Sequence, residues 1–319
     1  MGEMANVIAL DIGGTHFRAG LFDQDGRRLT VLEGNTLRSG GRDWMLKQIA
    51  GHCHTLLQNS ESPVKACGVS FGGPVDFENQ IVRSMHTPGW ENFAMAQWAK
   101  ENLGLSCRVD NDANCGALGE YHFGAGRGTQ ALVYITVSTG IGGGIVLEGK
   151  VYRGKDSMAG EFGHMCMAES GLLCSCGARG CLETICSGPA IASRAQELAA
   201  RRPEELSRMA ELSASSEGIT PHTVFQAAAE GDRAAIQIID AAARWFARAL
   251  LMIIRVVNPD NIVLGGGVTL AGDTFLGPVR AALKKMESPS ITYSTEVQLA
   301  ELGQYSPLYG AAALALELL

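Results

Sequence analysis

The sequence predicts an α/β protein organised as two domains. Its length of 319 residues, at roughly 100–200 residues per domain, is enough for about two hydrophobic cores. Apolar strands alternate with glycine turns and helical stretches along the chain. One module, made of a strand, a Gly/Thr loop, a second strand and an acidic-Gly turn, occurs twice about 125 residues apart. The composition, 46% hydrophobic and 18% charged, excludes general disorder. A net charge of −7 argues against binding nucleic acid or an anionic membrane through bulk charge. The 40 glycines are nearly twice the average share of about 7%. They sit either in flexible linkers or in tight backbone sites.

The first module begins with an apolar strand at residues 6–10, followed by Asp11-Ile12-Gly13-Gly14-Thr15 and a second extended run at 17–22. Asp23-Gln24-Asp25-Gly26 is a hairpin signal and 28–32 the returning strand. Residues 43–58 carry Trp44, Ile49, Leu56 and Leu57 at roughly helical spacing, and a buried strand at 66–70 ends in Phe71-Gly72-Gly73-Pro74. The second module repeats this grammar. Residues 131–137 form a strand, Ser138-Thr139-Gly140-Ile141-Gly142-Gly143-Gly144 a loop, 145–147 a strand and Glu148-Gly149-Lys150 the turn. Residues 233–257 form a long amphipathic helix, with Ile238, Ile239, Ala242, Phe246, Ala249, Leu250, Ile253 and Ile254 at steps of three and four. Asn258-Pro259-Asp260 stops it. A short strand at 261–264, the turn Gly265-Gly266-Gly267 and an Ala/Leu-rich helix at 309–319 complete the chain. Residues 201–221 read as a polar surface excursion.

No segment reaches the about 18 apolar residues of a membrane span, and the N-terminus has no basic stretch before an apolar core, so neither a membrane nor a secretory signal is expected. Nine cysteines are an odd number, and those from Cys174 to Cys186 crowd together. That pattern predicts a reducing, cytoplasmic compartment and a local metal site rather than a disulfide framework.

Three groups of residues carry chemistry. In Asp11-Ile12-Gly13-Gly14-Thr15 the backbone N–H groups can form an anion-binding nest, Thr15 adds a hydroxyl, and the carboxylate suits a water-bridged Mg²⁺. No Gly-Lys-Ser/Thr follows either glycine loop, which excludes a Walker A, and neither loop opens a helix as a Rossmann fingerprint does. A loop set between strands is instead similar to the actin, hexokinase and heat-shock-protein type of ATPase. Asp110-Asn111-Asp112-Ala113-Asn114 offers carboxylates after a short strand, where one can act as a general base. Asp/Asn clusters also cap helices, and 113–121 looks helical. His164, Cys174, Cys176 and Cys181 form a Cys₃His set suited to tetrahedral zinc, most often structural in a closed site. Their spacing is not that of a DNA-reading finger. A metal there would fix Glu161 and Glu183 at the two ends of the bound segment. Cys186 reads as a small buried residue outside the set.

Across essentially its whole length the chain resembles the ROK family of bacterial sugar kinases. The motifs that carry this are the Asp11–Thr15 and Ser138–Gly144 loops, Gly73-Pro74-Val75-Asp76, Asn111-Asp112-Ala113-Asn114, Gly160-Glu161-Phe162-Gly163-His164, the Cys174-to-Glu183 block, Gly265-Gly266-Gly267 and Tyr309-Gly310-Ala311-Ala312-Ala313. The resemblance implies two ribonuclease-H-like domains of actin/hexokinase type flanking an active-site cleft. The expected division is 1–117 with 305–319 in the first domain and 118–304, with the zinc loop, in the second. The resemblance implies ATP, Mg²⁺ and a structural Zn²⁺, a hexose substrate and a homodimer. It makes Asp112 the catalytic base, and Gly73, Asn111, Glu161, His164 and Glu183 sugar ligands. By the same resemblance His164 would have one ring nitrogen on zinc and the other toward the sugar. Asp11, Gly13, Gly14, Thr15, Thr139, Gly140, Gly265 and Gly266 face the nucleotide.

One departure falls before Pro88-Gly89-Trp90, where His86 and Thr87 stand in a stretch that usually holds a sugar-binding asparagine. The expected reaction is phosphorylation of a hexose at its 6-hydroxyl, with glucose first and N-acetylmannosamine, N-acetylglucosamine, allose or fructose as alternatives. A sugar-responsive repressor of the same family is disfavoured, since too few residues precede the first strand to leave room for a winged helix-turn-helix.

Overall fold

The computed structural model describes residues 5–83, 88–201, 207–214, 218–286, 288 and 291–319; His86 and Thr87 lie outside them. In chain order the elements are β1 (Asn6–Ile12), β2 (His16–Phe22), β3 (Arg28–Asn35), α1 (Gly41–Asn59), β4 (Val64–Phe71), β5 (Val75–Asp76), β6 (Ile81–Arg83), β7 (Glu91–Ala94), α2 (Met95–Leu103), β8 (Ser106–Asn111) and α3 (Asp112–Phe123). There follow β9 (Ala131–Val137), β10 (Ile141–Leu147), β11 (Lys150–Val151), α4 (Glu183–Cys186), α5 (Gly188–Arg201), α6 (Ser207–Ala214) and α7 (Pro221–Ala229). The chain ends with α8 (Arg233–Val257), β12 (Asn261–Gly265), α9 (Asp273–Lys285), β13 (Glu296–Leu299) and α10 (Ser306–Leu316).

Two five-stranded sheets carry the fold, ordered β3-β2-β1-β4-β8 and β11-β10-β9-β12-β13. Each sheet begins its chain path at the central strand, runs out through the next two strands, then returns to the other side. Strands β1, β4 and β8 are mutually parallel, with β2 and β3 antiparallel at the edge. In the second sheet β9, β12 and β13 are parallel and β11 is antiparallel to β10. The repeated module in the sequence is therefore a repeated sheet topology. A small antiparallel sheet, β5-β6-β7, completes the set.

The chain divides into two compact units, one of residues 1–128, 144–159 and 305–319, the other of 129–143 and 160–304. This differs from a break at residue 117, because α3 is one uninterrupted helix through Phe123 and the turn at Gly124 closes on its Glu120 carbonyl. Residues 144–159 go with the first unit because Gly144 packs on Ala113 and Ala117 of α3, at 2.5–2.8 Å from where a Cβ would stand.

In the first unit the side chains of β1 alternate between two cores, as the two-residue period of a strand requires. Ile8, Leu10 and Ile12 face the cluster with α1 and α2. Val7 and Ala9 face Leu308, Ala311, Ala312 and Ala315 of α10. Gly68 of β4 permits that close approach, since a Cβ there would lie 1.8 Å from the Ala311 carbonyl oxygen. α10 starts at Ser306 rather than at 309, with Pro307 in its first turn, where a missing N–H costs nothing.

In the second unit α8 buries the apolar face read from its periodicity. Asp232 caps its N-terminus by accepting the Ala235 N–H at 3.0 Å, and Asn258 ends it in the left-handed region at φ 50°. The polar stretch 201–221 contains α6 among its described residues. The glycine run 142–144 lies inside β10 rather than in a loop. Gly143 lets the strand lie against the Phe162 ring, 2.2 Å from a would-be Cβ.

Candidate active site

In the first unit the loop between β1 and β2 is held by its own backbone and by β3. The Gly13 N–H donates to the His16 carbonyl at 3.0 Å, and the Thr36 N–H to that of Thr15 at 2.8 Å. Thr36 Oγ1 donates to the Gly13 carbonyl at 2.8 Å, and Arg38 Nε to the Gly14 carbonyl at 3.2 Å. Gly14 and Thr15 are exposed and Gly13 is half-buried. With the Gly13, Gly14 and Thr15 carbonyls all occupied, the loop keeps an outward face that can receive an anion, and Arg38 adds a cation beside it. Gly73 lies just beyond β4, where its N–H donates to Phe71 O at 2.9 Å.

Asp11 is buried. Its Oδ1 accepts from Ser70 Oγ at 3.0 Å and its Oδ2 from Arg18 at 3.1 Å. Burial pushes its carboxyl above the usual carboxylate range, against the pull of Arg18 and Ser70. An ionised carboxylate accepts about four hydrogen bonds, so capacity for a cation-bound water is left. Arg18 was not among the residues read from the sequence. It stands directly opposite Asp11 in the antiparallel ladder, a relationship that follows once the hairpin register is known.

At the junction of β8 and α3, Asn111 is the N-cap, with its Oδ1 accepting the Asn114 N–H at 2.7 Å. The capping alternative therefore applies to Asn111, and its side-chain N–H₂ is not used by that bond. Asp112 is the first residue of α3 and half-buried. Asp110, almost fully buried, pairs with Arg153 Nε at 2.7 Å.

In the second unit residues 138–140 form the turn between β9 and β10. Ser138 N–H donates to the Gly140 carbonyl at 2.9 Å, and Gly188 N–H to the Ser138 carbonyl at 2.9 Å. Thr139 is exposed. Glu183, at the start of α4, accepts the Ile141 N–H on Oε2 at 2.9 Å. Gly265 ends β12 over Tyr134, whose hydroxyl would be 2.1 Å from a Cβ, and Gly266 has φ 88° with Val137 O at 2.5 Å from its would-be Cβ. Both glycines are thus required by packing whatever they face in solution.

His164 ends the short helical turn Phe162–His164, and the three cysteines follow in a small hairpin closed by the Cys166–Cys181 and Leu173–Arg179 bridges. Gly180, at φ 69° and 1.7 Å from the Ala168 oxygen by its would-be Cβ, makes that hairpin possible. His164, Cys174, Cys176 and Cys181 each bring a ligand atom within 4.8 Å of all the others. His164 Nδ1 is 3.5 Å from Cys174 Sγ, and Cys176 Sγ is 3.6 Å from Cys181 Sγ. Bonds of about 2.3 Å to sulfur and about 2.0 Å to nitrogen around a tetrahedral zinc need ligand atoms about 3.4–3.8 Å apart, so the set fits that ion. The other ring nitrogen, Nε2, is 3.7 Å from Glu161 Oε2. Cys186 is buried outside the set, with its thiol directed at the Ala242 carbonyl.

The sequence pattern of the ROK family, described by that name, matches residues 7–318. The chain belongs to the ROK family. Among ROK relatives, a glucokinase of Thermotoga maritima is 35% identical over 309 residues, covering 97% of this chain and 96% of its own. An N-acetylmannosamine kinase of Yersinia pseudotuberculosis is 32% identical and covers 97% and 98%. The crystal structure of a ROK glucokinase from Streptomyces griseus, in complex with glucose and AMPPNP, superposes with a TM-score of 0.85 at 32% identity, covering 98% of this chain and 99% of that one. The fold class is accordingly α/β with two ribonuclease-H-like domains of actin/hexokinase type. No helix among the described residues is long and apolar enough to cross a membrane.

Proposed function

We propose that this protein transfers the γ-phosphoryl group of ATP to the 6-hydroxyl of a hexose, glucose before others. It is an ATP-dependent sugar kinase of the ROK family. The observation that carries this reading is the likeness, along nearly the whole of both chains, to a glucokinase whose structure holds glucose and an ATP analogue; the Thermotoga glucokinase supports it independently.

Phosphoryl transfer needs positioning and charge neutralisation more than covalent chemistry. On this reading Asp112 accepts the proton of the attacking hydroxyl. Asn111, Glu161, His164, Glu183 and Gly73 hold the sugar. Gly13, Gly14 and Thr15, and separately Thr139 and Gly140, offer backbone and hydroxyl donors to the phosphates, with Gly265 and Gly266 beside the adenosine. Mg²⁺, when bound, neutralises phosphate charge, and Asp11 would hold it through water. His164, Cys174, Cys176 and Cys181 would hold a zinc ion, and its role would be structural, since four protein ligands would leave no open position for chemistry. It would fix the ring of His164 with Nε2 turned outward.

A homodimer belongs to the same proposal. Its support is the likeness to the ROK family alone, and light-scattering mass tests it. The nine unpaired cysteines support a reducing, cytoplasmic setting. The alternative substrate supported by a relative is N-acetylmannosamine. A panel of hexoses with ATP, coupled to ADP release, decides between them. Glucose is expected to give the highest kcat/KM, preference for N-acetylmannosamine selects the second reading, and no turnover with any sugar rejects both.

A further inference from the structure

Asp110 is 2% exposed, yet it is a carboxylate that none of the roles above uses. Its Oδ1 accepts two hydrogen bonds, from the Asn111 N–H at 2.8 Å and from Asn114 Nδ2 at 2.9 Å. Its Oδ2 accepts from Arg153 Nε at 2.7 Å. Asn111 in turn accepts the Asn114 N–H. One carboxylate oxygen thus ties the residue before Asp112 to the residue two places after it, and the cap closes the same loop from the other side. Arg153, which follows β11, stacks on the Phe77 ring with its guanidinium carbon 3.4 Å from the centroid.

A cap alone starts a helix, and Asn111 supplies one. Burying an ion pair is a poor way to gain stability, since apolar side chains of the same volume serve as well or better. What the pair adds is direction. It holds both flanks of Asp112 to one point, with the charge of that point neutralised by Arg153. We propose that Asp110 and Arg153 are positioning residues that aim the Asp112 carboxylate; this rests on reading Asp112 as the base.

The test compares two double variants. Both D110N/R153M and D110A/R153M remove the ion pair together, so neither leaves an unpaired buried charge. Asp110→Asn keeps the oxygen that accepts from Asn111 and Asn114, and Asp110→Ala removes it. The expected result is a kcat about ten-fold or more lower in D110A/R153M than in D110N/R153M, because sub-ångström misplacement of a reacting group costs rate in that range. ATP KM should agree within about two-fold, since no residue placed on the nucleotide bonds Asp110; sugar KM is no criterion, because Asp110 also holds the backbone of Asn111, a proposed sugar ligand. Equal kcat in the two doubles, or a difference confined to KM, overturns the proposal. Should D110A/R153M fail to fold, Asn114→Ala leaves the ion pair intact and cuts one tie. A kcat loss at constant ATP KM then supports the proposal, and an unchanged kcat overturns it. If the unsubstituted chain phosphorylates no sugar, the base reading and this inference fall together; if it does and the variants agree, only this inference falls.

Discussion

Glu183 accepts the backbone N–H of Ile141 at 2.9 Å, and the same Oε2 stands 2.5 Å from where a Cβ on Gly140 would be. The end of the cysteine block is thereby fastened to the glycine turn between β9 and β10. A residue proposed to hold the sugar also sets the shape of a turn proposed to meet phosphate. Glu183→Ala is therefore expected to raise KM for ATP as well as for the sugar, by about 10-fold each, the scale of one lost hydrogen bond to a charged group. Glu183→Gln keeps an acceptor for Ile141 and should raise the sugar KM alone. Gly140→Ala, which drives the carboxylate off the turn, should behave like Glu183→Ala toward ATP. Initial rates with each substrate varied in turn check all three, and an ATP KM unmoved in Glu183→Ala contradicts the link.

Asp112→Ala should still fold, because the cap of α3 belongs to Asn111 and the buried carboxylate to Asp110. As the proposed general base, its loss is expected to lower kcat by about 10²–10⁴-fold, with KM values near those of the unsubstituted chain. Near-normal turnover would remove Asp112 from the chemistry.

How much of this was legible in the sequence follows from what each feature depends on. The duplicated sheet was readable because its signal is local. Asp11–Thr15 and 138–140 are glycine turns between apolar strands, and strand period and turn chemistry both act within a few residues. The four metal-site residues were readable for the same reason, since His164 and Cys181 are close in sequence. The extent of β10 was not. Glycine reads as a turn, whereas Gly143 and Gly144 are in a strand because Phe162 and α3 press against them. Asn111 could be read as a cap or as a ligand, and only the bond to Asn114 assigns it the first task. Arg153 lies far from Asp110 in sequence, and no periodicity links them. That pairing depends on where the chain returns after β11, which is tertiary structure.

The metal set yields its own prediction. Purified protein should contain about one zinc per chain, the capacity of one Cys₃His site. Removal of the metal by a chelator should lower the melting temperature, because ligand binding free energy is folding free energy for a loop this small. Cys176→Ser should lose the zinc and share that lower melting temperature, while Cys186→Ser, outside the set, should retain the metal. Metal analysis with thermal melts measures both. Metal-free protein with an unchanged melting temperature would show that the four residues meet for another reason.

Gly310 of α10 faces α3, and a Cβ there would lie 1.7 Å from the Cys115 carbonyl oxygen. Gly119 of α3 meets the Ser306 carbonyl oxygen at 2.2 Å in the same way, so the two helices approach at glycines on both sides. In an open helix Gly→Ala stabilises by about 1 kcal/mol through lower backbone entropy. Here the added methyl meets backbone, which cannot rotate away, and overpacking of this kind costs about 1–3 kcal/mol or more. The clash outweighs the propensity gain. Gly310→Ala should therefore lower the denaturant midpoint, whereas Gly277→Ala in α9, with open space around its would-be Cβ, should leave it unchanged or raise it. Because α3 carries Asp112 at its first turn, Gly310→Ala should also lower kcat at temperatures where the variant is still folded. A stabilised Gly310→Ala would mean that α10 stands further from α3 than described.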